Sequence, residues 1–174
     1  MTDLEGSAPV PAEKDVPRGL REVDDDARTL ARRLLDTSRF ATIGVIEPDT
    51  GFPAVSRVIY ACDAEDNAPV ILISDLAAHT RALAQDDRCT LLVGEPDKGD
   101  PLAHPRMTVY CRAERIDHET AAHKRLRPLF LARHPKAALY ADFNDFHFWK
   151  LTIVNAALNG GFGRAYILQR SDIQ

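Results

Sequence analysis

The first periodic stretch of apolar residues has the spacing of an α-helix. Between about residues 24 and 37, five apolar side chains recur every three or four positions and share one helical face: Ala27, Leu30, Ala31, Leu34 and Leu35. Three aspartates at 24–26 come just before them, where carboxylates interact favourably with a helix dipole. The pattern predicts an amphipathic helix with its apolar face on the core.

Beyond residue 38 the apolar positions follow the pattern of β-strands. Runs rich in Val, Ile, Phe and Tyr are separated by segments with Pro, Gly, Asn and Asp, which are typical of turns. The predicted strands cover residues 40–46, 53–62, 69–73, 89–93, 106–116, 146–154 and 162–168. Because most are joined by short turns, we predict a mainly β fold, an antiparallel barrel with helices packed outside.

Two further helices are predicted between the strands. Ser74 and Asp75 are expected to cap a short helix that ends at Gln85, and residues 117–142 have a helical pattern that Pro135 interrupts. Residues 1–22 contain three prolines and no periodic apolar positions. We therefore expect a flexible N-terminal tail, or an arm laid on a partner subunit, before a single domain over residues 23–174.

Composition and charge exclude several classes of protein. The 174-residue chain has 22 Lys and Arg against 26 Asp and Glu, a formal net charge of -4, so nucleic acid, which requires a concentrated basic surface, is not an expected partner. No apolar run is long enough to span a membrane, and the N-terminus lacks the pattern of a secretory signal. Cys62, Cys89 and Cys111 lie in predicted strands and are expected to be buried thiols in a reducing, cytoplasmic location.

The motifs of the common enzyme classes are absent from the sequence. It has no Gly-x-Ser-x-Gly, Walker or dinucleotide-binding motif. His118 and His123 stand five residues apart, whereas two helical metal ligands need a spacing of four to share a face. We therefore predict no metal site and expect both histidines to be solvated side chains of a helix.

A strand that runs into a helix is the first candidate binding site. Ser74 ends the strand, and His79, Thr80 and Arg81 fall in the first turns of the following helix. An anion could bind at the start of this helix, where it would accept hydrogen bonds from backbone N–H groups, hydroxyls and a guanidinium. The alternative is a helix cap by Ser74 or Asp75, with Arg81 in solvent.

An arginine within an apolar strand is the second candidate. The alternation of the strand places Val55, Arg57 and Ile59 on one face. This arrangement indicates that the face meets a ligand or a subunit interface. The alternative is an edge-strand arginine that extends into solvent.

Together these segments resemble a known family. Arg57, the Ile73-Ser74 strand end, His79-Thr80-Arg81 and the strand over 106–116 follow one another as in the pyridoxamine 5'-phosphate oxidase-like FMN-binding split barrel. Residues 99–102, Pro105-Arg106 and 160–165 are most similar to its haem-utilisation (HugZ-like) branch. The resemblance covers residues 38–169, nearly the whole predicted domain.

The resemblance implies an FMN bound between the two subunits of a homodimer. It assigns the FMN phosphate to Arg57, Ser74, His79, Thr80 and Arg81. It places Val58, Ile59 and Tyr60 beside the flavin and Arg106 near the isoalloxazine ring. It brings Gly161, Phe162 and Gly163 to the ring from the other subunit.

The function implied is an FMN-dependent oxidoreductase of unknown substrate, in which the flavin carries the electron chemistry and no residue is assigned as a general acid or base. The C-terminal Arg-x-His and Arg-Leu-x-Pro segments of the true oxidases are missing, so vitamin B6 oxidation is not expected.

Two alternatives to this function stay open. One is a haem-binding or haem-degrading protein on the same fold, with His104, His134 or His147 on the surface as axial ligand. The other is a flavin-binding module without turnover, or a barrel that has lost its cofactor.

Overall fold

The computed structural model describes residues 19–174. Within them the chain forms these elements: α1 (Asp25–Thr37), β1 (Phe40–Ile46), β2 (Pro53–Cys62), β3 (Pro69–Ser74), α2 (Ala78–Gln85), β4 (Arg88–Val93), β5 (Arg106–Ile116), α3 (Ala121–Arg133), β6 (Phe146–Asn159), β7 (Ala165–Gln169) and α4 (Arg170–Ile173). Positions 1–18 of the expected tail lie outside the described residues. Leu20 pairs with Ala165, and the Arg21 N–H donates to the Ala165 carbonyl at 2.9 Å, so the chain contacts the sheet before α1.

Six strands close into an antiparallel barrel. Their order is β3-β2-β1-β4-β5-β6, and β6 pairs with β3 to complete the ring, while β7 extends the sheet from β6. At 14 residues, β6 is long enough to pair with β3 at its start, with β7 at its end and with β5 along most of its length. The predicted barrel with flanking helices is confirmed.

The barrel interior is the main hydrophobic core. Alternate residues of each strand point inward, among them the fully buried Ile43 and Tyr60. α1 adds Ala27, Ala31 and Leu35 to the same cluster, as its amphipathic pattern predicts. The Asp24 carboxylate caps this helix by accepting from the Ala27 N–H at 2.7 Å.

A second, smaller core lies between the barrel and α3. Its centre is the edge-to-face pair of Phe130 and Phe148, with ring centroids 5.3 Å apart. The buried carboxylate of Asp63 joins three elements beside it, because it follows β2 and accepts hydrogen bonds from Arg125 of α3 and from Lys150 of β6. Packing and an ion cluster therefore both hold α3 on the barrel.

Both predicted helices after β3 are shorter in the structure. α2 begins at Ala78, because Ser74 and Asp75 stay in a turn in which the Ala77 N–H donates to the Ser74 carbonyl. The prediction that Ser74 or Asp75 caps α2 is therefore wrong. α3 ends at Arg133, and Pro135 begins a separate 3₁₀ turn, which is the break predicted from the proline.

The last hairpin also differs from the prediction. β6 continues past Val154 to Asn159. The predicted strand ends at Val154 because a β-bulge leaves this residue without a partner opposite Tyr110 and Cys111 and interrupts the period-2 pattern. β7 begins only at Ala165, after a turn in which Gly161 and Gly163 have positive φ.

The three cysteines are free thiols. Cys89 and Cys111 are buried, as expected, and Cys62 is half-buried. No helix within residues 19–174 has the length and apolar character needed to cross a membrane. The cytoplasmic location stays a prediction.

Candidate functional site

The residues predicted to bind phosphate lie between β3 and α2. The Ser74 hydroxyl donates to Asp145 Oδ2 at 2.7 Å and accepts from the Leu76 N–H at 3.1 Å. Thr80 Oγ1 donates to the Ser74 carbonyl at 2.7 Å. Since each hydroxyl has one proton, both are committed to the protein in this arrangement. No side chain caps the N-terminus of α2, whose N-cap residue is Ala77.

His79 connects the start of α2 to β2. Its Nδ1 is 3.1 Å from the Ser56 hydroxyl, and burial lowers the pKa of the imidazole. Its Nε2 is buried and has no hydrogen-bond partner among the described residues. The ring is therefore neutral at pH 7 and has one polar atom left for a ligand.

The two arginines predicted to bind phosphate are both exposed. The Arg57 guanidinium lies over the Phe40 ring, 4.8 Å from its centroid. Within the part of the chain that the structure describes, the guanidinium groups of Arg57 and Arg81 form no salt bridge. Their charge is thus available to an anion.

The other predicted residues of β2 face different sides of the barrel wall. Val58 and Tyr60 point into the core, where the Tyr60 hydroxyl donates to the Leu35 carbonyl at 2.6 Å. Ile59 points outward and packs against the second core. The Ile59 side chain is therefore partly covered on the outside of the barrel, and the side chains of Val58 and Tyr60 stay inside.

Arg106 and the turn at 160–163 meet at another end of the barrel. Arg106 Nη1 donates to the carbonyls of Leu102 and His104 at 3.3 and 3.4 Å, and the Gly161 N–H donates to Asn159 Oδ1 at 3.0 Å. A Cβ on Gly161 would lie 3.0 Å from the Ala103 carbonyl oxygen, so the turn and the loop before β5 approach closely. The side chain of Phe162 is exposed there.

The predicted phosphate-binding residues around Ser74 and the predicted ring-binding residues around Arg106 lie at opposite ends of β6. Phe146 pairs with Ser74 at the start of the strand, and Asn159 pairs with Arg106 at its end. At about 3.3 Å per residue, the strand separates them by roughly 40 Å along its length. A single chain therefore does not bring both groups to one small ligand.

The outer face of the barrel has an apolar groove that the sequence did not predict. We call it the outer-face groove; its volume is about 830 Å³. Outward-facing side chains that line it include Ile46, Val55, Thr90, Tyr110, Val154 and Ile167. Most of these side chains are apolar and more than 35% exposed, as would suit a binding surface.

Strand register explains how residues from five strands meet in this groove. Val55 pairs with Gly44, Gly44 with Thr90, Thr90 with Tyr110, and Tyr110 with Asn155, in one row across the sheet. Gly44 has no side chain, so the row of outward side chains has a gap between Val55 and Thr90. The groove is therefore a product of alignment between strands that are distant in sequence.

Two arginines add positive charge to the same groove. Arg88 and Arg112 both line it and stand opposite each other in the β4–β5 pairing. Each forms an exposed salt bridge of 2.5 Å, Arg88 with Asp86 and Arg112 with Asp87. Exposed pairs of this kind contribute little stability, so both guanidinium groups can turn to a ligand.

Three histidines form a cluster outside the groove. The His118 ring centroid lies 5.0 Å from that of His123 and 4.6 Å from that of His147. His123 is 7% exposed and burial lowers its pKa, so the expectation of a solvated side chain is wrong for this residue. The spacing argument assumed one helix, but His118 precedes α3 and folds back on its first turn. Within residues 19–174, no set of three His, Cys, Asp or Glu side chains is arranged to hold a metal ion.

The histidines considered as haem ligands are not free surface groups. His134 is buried, with its Nε2 2.7 Å from the Tyr60 carbonyl oxygen. His147 is buried too, and its Nε2 lies 2.7 Å from Arg115 Nη2. The expected surface position is therefore wrong for both. His104 is half-buried, and its Nε2 is 3.1 Å from the Lys98 carbonyl oxygen.

Residues 22–173 match the family model described as CREG, beta-barrel. Over 102 residues the chain is 36% identical to the chloroplastic haem oxygenase HOZ of Arabidopsis thaliana, a match that covers 58% of this chain and 30% of that protein. The chain thus spans less than a third of this curated relative.

Solved structures share the fold. A haem-binding protein from Mycobacterium smegmatis superposes with a TM-score of 0.75 at 28% identity, covering 88% of this chain and 61% of that one. A protein of the pyridoxinephosphate oxidase family from Clostridium acetobutylicum superposes with a TM-score of 0.67 at 11% identity, covering 87% and 100%. The resemblance to the split barrel is thereby confirmed, and with the match over nearly all of its described residues, this chain belongs to the CREG β-barrel family.

Proposed function

We propose that this chain binds haem in the outer-face groove and that a second copy of the chain completes the site. The observation that carries this proposal is the lining of the groove, which is apolar along most of its length and has two arginines. A haem has a flat apolar macrocycle and two carboxylates, which match such a surface. Two of the relatives are, by name, a haem oxygenase and a haem-binding protein.

The residues of the groove fit the two parts of this ligand. Val55, Val154 and Ile167 offer exposed apolar side chains to the macrocycle. Arg88 and Arg112 are placed to bind the carboxylates, since a guanidinium pairs with a carboxylate through two hydrogen bonds. A bound haem would supply a redox-active iron, and the protein would supply binding and orientation.

Two features of the single chain support a homodimer. The outer face exposes a contiguous apolar surface, with Val55 73% exposed and Val154 50% exposed, and such patches usually mark an interaction site. The second feature is the wide separation of Ser74 and Arg106 along β6. A partner related by a two-fold axis that crosses β6 would place one end of its own β6 beside the opposite end of this one.

Haem titration of the purified protein tests the proposal. We expect a saturable Soret band with the wild type and a dissociation constant about 10 to 100-fold higher for Val154→Glu, because a buried carboxylate beside the macrocycle is costly and repels the haem carboxylates. Val154 is half exposed, so the fold should tolerate the change. The matched control is Leu139→Glu, the same change at a residue that is 78% exposed and does not line the groove.

Two outcomes of this experiment would overturn the proposal. One is a wild-type protein that develops no Soret band with stoichiometric haem. The other is equal weakening by Val154→Glu and Leu139→Glu, which would move the site away from the groove. Light scattering on the same samples reports the oligomer, and a stable wild-type monomer at micromolar concentration contradicts the shared site.

FMN is the second candidate ligand, and a different observation favours it. The N-terminus of α2 has no side-chain cap, and Arg57 and Arg81 carry charge that no salt bridge within residues 19–174 occupies. An uncapped helix N-terminus with arginines nearby suits a phosphate. His79 Nε2 is a further free polar atom in the same segment. With a flavin bound there, the chain would be an oxidoreductase whose flavin transfers the electrons.

A comparison of FMN with riboflavin tests this second candidate. If Arg81 bonds the phosphate, Arg81→Ala removes a charge-assisted hydrogen bond of about 1.5 to 3 kcal/mol, so FMN should bind about 10 to 150-fold more weakly. Riboflavin lacks the phosphate and should bind equally to both proteins. Arg33→Ala, at an exposed arginine of α1, is the control and should change neither affinity. Equal weakening of FMN and riboflavin would show that Arg81 acts through folding or the ring.

A further inference from the structure

The proposed haem site, on which this inference rests, leaves open which atom of the protein binds the iron. Haem proteins use His, Cys, Met or Tyr as axial ligand. Among the residues that line the outer-face groove, Cys89, Tyr110 and Cys111 have such an atom, and no histidine or methionine of residues 19–174 lines it. Among the groups that a single chain supplies to the groove, the choice is therefore between two thiols and one phenol.

The two thiols belong to the interior of the barrel. Cys89 and Cys111 stand opposite each other in the β4–β5 pairing, and both are buried in the main core. The neighbouring Cys89 thiol and burial raise the pKa of Cys111. A protonated thiol inside the core is a poor ligand, since metals bind the thiolate.

Tyr110 faces the groove from the centre of the sheet. Its side chain is 44% exposed on the outer face, and its neighbours across the pairings are Thr90 and Asn155. The β-bulge falls directly after it, and leaves the unpaired Val154 on the same face. Bulges often occur beside functional sites, where they direct a side chain. Here the bulge sets an apolar side chain beside the phenol.

Two arginines line the groove together with Tyr110. Arg112 follows it on the same strand and lines the same groove, and Arg88 stands opposite Arg112 on β4. Their partners, Asp86 and Asp87, directly precede β4, and both arginine side chains are more than half exposed.

We propose that Tyr110 is the axial ligand of the haem iron in this protein. On binding, the phenol releases its proton to solvent and the phenolate oxygen forms the bond to ferric iron, so the oxidation state of the metal does not change.

Spectroscopy of the ferric haem complex tests the assignment. The wild type should show a phenolate-to-iron charge-transfer band and phenolate modes in resonance Raman spectra. Tyr110→Phe should lose both and bind haem at least about 10-fold more weakly. Tyr140→Phe is the matched control, because Tyr140 packs on Phe146, away from the groove, and should leave the spectrum unchanged. Each substitution removes one hydroxyl and keeps the aromatic ring, so both variants should fold.

The outcomes separate this inference from the proposed function. A wild type that binds no haem overturns both. A Tyr110→Phe variant that binds haem with the wild-type spectrum overturns the ligand assignment and leaves the haem site standing. A variant that loses the phenolate signals while Tyr140→Phe keeps them supports the assignment.

Discussion

Replacing Gly94 with alanine is expected to lower the free energy of unfolding by about 3 to 5 kcal/mol. Gly94 follows β4 with a φ of +96°, a conformation that residues with a Cβ rarely adopt. A Cβ there would lie 2.5 Å from the Pro105 carbonyl oxygen and 2.9 Å from the Arg106 Cα. Both are backbone atoms, and Arg106 begins β5, which is paired on both sides. The clash therefore cannot be relieved by rotating a side chain.

The matched control for this variant is Gly99→Ala. Gly99 has a φ of +102° in the same loop, but no atom lies within 4 Å of the position that its Cβ would occupy. Its substitution costs only the backbone strain, about 1 to 2 kcal/mol. Urea unfolding followed by the fluorescence of Trp149 measures both. Equal losses for the two variants would contradict the clash.

The second large effect is expected at the buried carboxylate of Asp63. Asp63→Ala should lower the free energy of unfolding by about 3 kcal/mol, because it removes the shared partner of two partly buried cations. The Asp63 side chain is fully buried, whereas the side chains of Arg125 and Lys150 are 35% and 19% exposed and keep other acidic partners. The change therefore loses the hydrogen bonds and leaves a cavity under α3.

Asp142→Ala is the control for this prediction. Asp142 also receives two hydrogen bonds from one arginine, Arg127, but its side chain is 61% exposed. Exposed ion pairs contribute about 0 to 1 kcal/mol, so Asp142→Ala should be nearly neutral in urea unfolding. A loss as large as that of Asp63→Ala would show that burial is not the cause.

The same cluster predicts how stability depends on pH. Burial raises the pKa of Asp63, but hydrogen bonds from Arg125 and Lys150 outweigh it and hold the pKa well below its usual range. The native state thus favours the carboxylate more than the unfolded state does. Its stabilising effect is present above a pH of about 4 and is lost as the pH falls further. Asp63→Ala should therefore lose less stability than the wild type over this acidic range.

The local pattern of the sequence determined most of the strands. β1, β2 and β5 have the predicted bounds, because alternation and flanking turn residues are local signals. The outer-face groove could not be found in this way. It depends on which residue of β4 pairs with Tyr110 and on the β-bulge at Val154, and neither is encoded within one strand. The outward apolar positions of Val55 and Ile167 were the signal available.

The histidines show a second limit of sequence reasoning. Spacing along a helix predicts side-chain neighbours only when both residues lie in that helix, and His118 does not. His147 comes to the same cluster from β6 through the pairing of that strand with β3. Burial of a polar residue is decided by such long-range packing, so its prediction needs the fold first.

The closure of the barrel by β3 and β6 has a consequence for how the chain folds. β1 and β2 are joined by a short turn and can pair early, whereas the β3–β6 ladder joins Val70 to Lys150 across a long intervening segment. The loss of chain entropy on closing a loop increases with its length, and proteins dominated by such distant contacts fold slowly. The ring therefore becomes complete only after β4, β5 and α3 have been synthesised. Until then β3 has an unsatisfied edge during translation.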